Sequence, residues 1–98
     1  MKAIYTVNDI KRILQPVFKK HNIKKAVLFG SYAKGEADAK SDIDIMVDSN
    51  LRGLAFYGLL EDVVNAVGLQ VDLLDRRQII PASKIQAEIK NTGVVIYG

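Results

Sequence analysis

Ile10, Ile13, Leu14, Val17 and Phe18 recur at i, i+3, i+4, i+7 and i+8, the apolar stripe of an amphipathic helix. The pattern predicts a first helix over about residues 8–20, with Thr6 or Asn8 as its N-cap. Pro16 lies inside it and removes a backbone donor, so a kink or two shorter pieces are expected there. After Lys24 and Lys25 the run Ala26-Val27-Leu28-Phe29 ends at Gly30 and reads as a buried strand. Ser31 to Asp38 is small and polar, enough for a short helix and a turn. Residues 43–47, Ile-Asp-Ile-Met-Val, alternate as a second strand. Phe56, Leu59, Leu60, Val63, Val64 and Val67 mark another helical face over about 53–67, with Gly68 as its stop. Leu-Gln-Val-Asp-Leu-Leu at 69–74 is a third strand, Pro81 is placed to open a last helix, and Val94 to Tyr97 reads as an edge strand. Helices alternating with short apolar strands predict an α/β layer fold, a small mixed sheet flanked by helices.

Composition bounds this picture. The chain has 98 residues, 49 % of them hydrophobic and 26 % charged, which is ordinary globular material rather than a disordered mixture. Such a length buries about 65 % of its extended surface, so one domain spanning residues 1–98 is expected. The absence of cysteine excludes a disulfide framework, a thiolate zinc site and a thiol nucleophile, and it fits a reducing compartment. No run of eighteen apolar residues occurs and the first residues lack a signal-peptide pattern, so a cytoplasmic chain without a membrane partner is expected. The net charge of +3 is unevenly spread: residues 1–40 hold nine Lys/Arg against three acids, and residues 41–98 hold five against eight. A basic first part and an acidic second part suit carboxylates that seek a cation beside groups that welcome phosphate, and equally suit a solvated basic helix.

The informative stretch is Gly30-Ser31-Tyr32-Ala33-Lys34-Gly35 followed by Ser41-Asp42-Ile43-Asp44-Ile45. Strand alternation sends Asp42 and Asp44 to one face, with Cα atoms about 6.5–7 Å apart. Two anions so placed raise each other's pKa unless a counter-charge joins them, and magnesium prefers such hard oxygen ligands completed by phosphate and water. An isolated Asp-x-Asp is more often a plain solvated strand end. Here Asp72 interrupts a second apolar strand and shares that face if the two strands are neighbours, so three carboxylates could hold two metals. Asp75, three residues on, points to the opposite face and reads as a strand-end acid beside Arg76 and Arg77. Gly30-Ser31 after a strand admits a phosphate close to the backbone and adds a hydroxyl donor. No Gly-Lys-Ser/Thr of a Walker A loop is present. The single histidine, His21, is expected to face solvent. Tyr32 lies nearest the site but is more often a packing residue, and Glu61, Asp62 and Glu88 fit helix surfaces.

Phe29-Gly30-Ser31, the ten residues that lead to Asp42-Ile43-Asp44, and Val71-Asp72-Leu73-Leu74 together resemble the signature of the DNA polymerase β-like nucleotidyltransferase superfamily, in its minimal MNT branch. The resemblance covers nearly the whole chain. It implies Asp42, Asp44 and Asp72 as catalytic and metal-binding carboxylates, with Asp72 the candidate general base, and Gly30, Ser31 and Ser41 as nucleotide contacts. It also implies two Mg2+ ions, ATP as substrate, and transfer of AMP with loss of pyrophosphate. In the MNT branch the acceptor is a tyrosine of a HEPN-domain ribonuclease toxin from a neighbouring gene. A hetero-oligomer without direct nucleic-acid binding is therefore expected, the partner completing an acceptor site that so short a chain lacks. Two other functions are weighed against this one. The first is a non-catalytic module that masks a similar partner through the apolar surface of the helix at 53–67. The second is a nucleotidyltransferase acting on a small molecule.

Overall fold

The computed structural model describes residues 4–98. The elements follow the order α1 (Val7–Lys20), β1 (Lys25–Phe29), α2 (Ser31–Lys34), β2 (Ile43–Asp48), α3 (Leu54–Val67), β3 (Val71–Asp75), a 3-10 turn (Arg76–Gln78), α4 (Lys84–Thr92) and β4 (Val94–Tyr97). The four strands form one mixed sheet in the order β3-β2-β1-β4. β1 runs antiparallel to both β2 and β4, and β2 runs parallel to β3. A parallel pair needs a crossover connection, which α3 supplies.

One face of the sheet carries the core. Ile10, Leu14 and Phe18 of α1 and Leu59, Val63 and Val67 of α3 close over Ala26, Leu28, Ile43, Ile45, Val47, Leu73 and Ile96. The opposite face presents Lys25, Val27 and Phe29 of β1, Asp44, Met46 and Asp48 of β2, and Asp72 and Leu74 of β3, as strand alternation and the pairing require. Of the helices, α4 packs against β1 on this second face, where Val27 and Phe29 are buried.

Local chemistry accounts for the element ends. Thr6 caps α1 in a reciprocal box: its hydroxyl accepts from the Asp9 N–H at 3.1 Å, and the Asp9 carboxylate accepts from the Thr6 N–H at 3.0 Å. α1 runs unbroken through Pro16, which lies on its exposed side, so the expected division into two pieces does not occur. Gly68 ends α3 in the left-handed conformation, φ 69°, as its position predicts. The last helix begins later than expected. Ala82 takes φ 63° after Pro81, and the Ser83 hydroxyl then accepts from the Gln86 N–H at 3.1 Å, so Ser83 is the cap and Pro81 lies outside α4.

His21 is also corrected. Its side chain is only 18 % exposed and Nε2 lies 2.7 Å from Asp62 Oδ2, with Lys20 Nζ 3.2 Å from the same oxygen. The helix-surface acid Asp62 therefore ties the end of α1 to α3. These hydrogen bonds and the Lys20 charge hold its carboxyl below the usual range.

Asp75 is a strand-end acid on the core face, as expected, but it is buried. Its carboxylate accepts from the Ser49 hydroxyl, from the Arg77 N–H at 3.1 Å and from Arg77 Nε at 3.0 Å. Burial by itself raises its pKa, and the Ser49 and Arg77 donors outweigh that and hold it below the ordinary value. A depressed folded value makes this contribution complete above about pH 5 and lost as pH falls below about 4. Asp75→Asn is accordingly expected to lower stability at pH 7 by about 1–3 kcal/mol, with the deficit shrinking at pH 3. Thermal melts of both proteins at the two pH values measure it, and an equal deficit at both contradicts the assignment.

Candidate nucleotide-transfer site

The parallel register of β2 and β3 sets Asp44 directly opposite Asp72, and the antiparallel register of β1 sets Phe29 opposite Asp44 from the other side. Gly30, the residue after β1, thereby comes to the Asp44 carboxylate. A Cβ built on Gly30 would stand 2.5 Å from Asp44 Oδ2, so the carboxylate occupies the space that any other residue at 30 would fill. Gly30 also has φ 76°, which L side chains rarely adopt. Ser31 opens α2 immediately afterwards. Asp42 stands one residue before β2 and is exposed, Asp44 is half-buried, and Asp72 is exposed on β3.

Burial, followed by the charges of Asp72, Glu88 and Asp42, pushes the Asp44 carboxyl up from 3.8 to about 6. Four acids from β2, its entry, β3 and α4 thus bear on one point of the sheet face. Glu88 is the member that sequence reasoning missed, since an acid on an exposed helix face has no local signature. Among the described residues no three His, Cys, Asp or Glu side chains stand together as a ready-made cation site. Magnesium usually takes one or two carboxylates and completes its shell with phosphate and water. The hard oxygens, the carboxylate seated against Gly30 and the net negative field all fit such a cation.

Three further residues named from the sequence have their places set by local contacts, and Tyr32 is the packing residue expected. The Gly30 N–H donates to Thr92 Oγ1 at 3.0 Å, so Gly30 serves the site chiefly by admitting Asp44. Ser41 is held in the loop before β2, its hydroxyl accepting from the Asp38 N–H at 2.9 Å and donating to Asp38 Oδ1 at 3.2 Å. Tyr32 is a core residue, 3 % exposed, and burial pushes its phenol up. Its ring fills the core side of α2 and leaves the carboxylates to the other face.

A family profile described as Polymerase beta, Nucleotidyltransferase matches residues 8–98. The chain belongs to that nucleotidyltransferase family. Among its relatives, the Methanocaldococcus jannaschii protein named "Putative protein adenylyltransferase MJ0435" is 37 % identical over 81 residues, covering 80 % of this chain and 86 % of that protein. "Protein adenylyltransferase MntA" of Thermococcus cleftensis is 35 % identical over 78 residues, covering 74 % of this chain and 79 % of its own. A crystal structure of a toxin–antitoxin with AMP-PNP contains a similar chain, at 27 % identity and a TM-score of 0.73, over 90 % of this chain and 73 % of that one. The mixed sheet with flanking helices is therefore the nucleotidyltransferase fold, and this nucleotidyltransferase resembles MntA.

The raised Asp44 value has a thermodynamic consequence in the metal-free protein. A carboxyl whose folded pKa exceeds its unfolded one binds more protons when folded, so stability falls as pH rises from about 4 to about 6. Asp44→Asn removes the repelled charge while keeping the shape. It is expected to raise stability at pH 7 by on the order of 1–2 kcal/mol after allowance for solvent screening, and to change little at pH 4. Urea unfolding in the presence of EDTA at both pH values tests this, and a less stable Asp44→Asn at pH 7 contradicts it.

Proposed function

We propose that this nucleotidyltransferase is an antitoxin-type protein adenylyltransferase that transfers AMP from ATP to a tyrosine of a cognate HEPN-domain toxin. The observation that carries the reading is the seat of Asp44 between Asp72 and the Cβ-free Gly30, which brings a carboxylate group and the Gly30-Ser31 turn to one point. The similarity to MntA and to a chain of a toxin–antitoxin holding AMP-PNP, an ATP analogue, supports both the nucleotide and the class of partner.

In this reading Asp42 and Asp44 hold magnesium, Asp72 joins them, and Ser31 with the backbone around Gly30 receives the triphosphate. Two Mg2+ ions, when bound, would neutralise the charge that the attacking and leaving oxygens develop. The acceptor hydroxyl attacks the α-phosphorus, its new O–P bond forming as the bond to the β-phosphate oxygen breaks and pyrophosphate leaves. Asp72 takes the tyrosine proton. A phenol of pKa about 10 needs that base near neutral pH. Ser41 acts indirectly, holding the loop that delivers Asp42. A partner that brings the acceptor makes the working unit a hetero-oligomer, and the proposed setting is the cytoplasm. No helix among the described residues is long and apolar enough to cross a membrane.

A masking role is favoured by one feature: at the start of α3, Leu54 is 90 % exposed and Tyr57 68 % exposed. The two roles separate experimentally. A catalytic amount of this protein with toxin, ATP and magnesium is expected to leave an AMP-sized increment on a toxin tyrosine, and the toxin stays inactive after the antitoxin is removed. Asp72→Asn is expected to lower the single-turnover rate at least about a hundredfold while ATP still binds. Asp42→Asn with Asp44→Asn is expected to abolish both metal-dependent ATP binding and the adduct. If that double variant neutralises the toxin as well as wild type with no tyrosine modified, the mask replaces the enzyme.

A further inference from the structure

Gly30 leaves room for Asp44 with φ 76° and ψ −153°, a conformation that glycine permits but does not enforce. A partner for its N–H lies on α4. The Gly30 N–H donates to Thr92 Oγ1 at 3.0 Å, and the Thr92 hydroxyl proton is committed to the Glu88 carbonyl at 2.7 Å. With its proton so engaged, Oγ1 turns a lone pair to Gly30. The next residue sets the approach: a Cβ on Gly93 would stand 2.3 Å from the Ile89 carbonyl oxygen and 2.9 Å from Val27 Cγ1. The end of α4 therefore lies on β1 more closely than a side chain at 93 allows. α4 buries none of its own residues, and besides its packing on β1 this hydrogen bond is its link to the Gly30 turn.

We propose that Thr92 is a positioning residue for nucleotide transfer. It anchors the Gly30 peptide to α4 and so fixes the turn that lies between Asp44 and Ser31, without touching the nucleotide. The inference rests on the reading of this site as the ATP site. Thr92→Val keeps the side-chain shape and removes the acceptor, leaving the buried Gly30 N–H without its partner.

The test compares wild type, Thr92→Val and Thr92→Ser in transfer kinetics and in magnesium-dependent ATP binding by calorimetry, with amide hydrogen exchange of Gly30 followed by NMR in wild type. Thr92→Val is expected to raise the KM and Kd for ATP about three- to tenfold with kcat changed less than about twofold, and Thr92→Ser to restore wild-type values. The wild-type Gly30 amide is expected to exchange more slowly than the amides of the Asp38–Ser41 turn. Unchanged ATP affinity in Thr92→Val, or a loss confined to the folded fraction with normal affinity per folded molecule, overturns the proposal. So does a rapidly exchanging Gly30 amide, a result that needs no folded variant. Wild-type protein that binds no ATP with magnesium sinks the functional reading and this inference together. Normal wild-type binding beside an unaffected Thr92→Val sinks the inference alone.

Discussion

Two carboxylates directly opposite one another on adjacent parallel strands are the constraint around which this molecule is arranged. Asp44 and Asp72 meet because β2 and β3 pair in one register, and a slip of a single residue would turn either acid into the apolar core. The core holds the register: Ile43, Ile45 and Val47 of β2 and Leu73 of β3 have no other place to bury. The parallel pairing in turn requires α3 as a crossover, and α3 with α1 covers the same face as those side chains. Most of the core thereby lies on one side of the sheet, with Val27 and Phe29 buried under α4 on the other. The other side is free to carry charge that opposes folding.

The two ends of this arrangement show how environment sets the fate of an acid. Asp75 and Asp44 are both partly or wholly withdrawn from water, and burial raises the pKa of each. Asp75 meets Ser49 and Arg77 and stays ionised. Asp44 meets only further acids, and its carboxyl rises to about 6. The same burial thus leaves one carboxyl satisfied by donors and the other crowded by like charge. The distinction comes from the neighbours, since the two residues sit on strands of similar apolar character.

Periodicity made most of the fold legible, because α1, α3 and the strands each bury one face and must repeat their apolar residues accordingly. The shared face of Asp44 and Asp72 could be read for the same reason, both being acids within the alternation of strands that bury their other face. Gly30 was legible as a turn, but its working role was not. The space it leaves is filled by Asp44, fourteen positions away, and its N–H goes to Thr92, sixty-two positions away. His21, Glu88 and Thr92 escaped for a common cause: each acts through a partner brought by tertiary packing, His21 through Asp62, Glu88 through the field at Asp44 and Thr92 through Gly30. The start of α4 was misplaced because Pro81 is a stronger local signal than Ser83. The left-handed Ala82 that separates them cannot be inferred from residue type.

The exposure of the carboxylates bears on what the acceptor is. A small-molecule substrate gains affinity and orientation from walls that enclose most of its surface. Here Asp42 and Asp72 are exposed on an open sheet face whose helical cover, α4, lies over β1 rather than over β3. Such a site can position the phosphate side of the reaction, where Gly30, Ser31 and Asp44 converge, but offers little to orient a free acceptor beside Asp72. In-line attack demands that orientation, a misplacement of about 1 Å costing on the order of a hundredfold, and an acceptor carried on a docked macromolecule arrives with most of its freedom already removed. For the transfer proposed above, an open face of this kind is better served by a protein-borne hydroxyl than by a diffusing one.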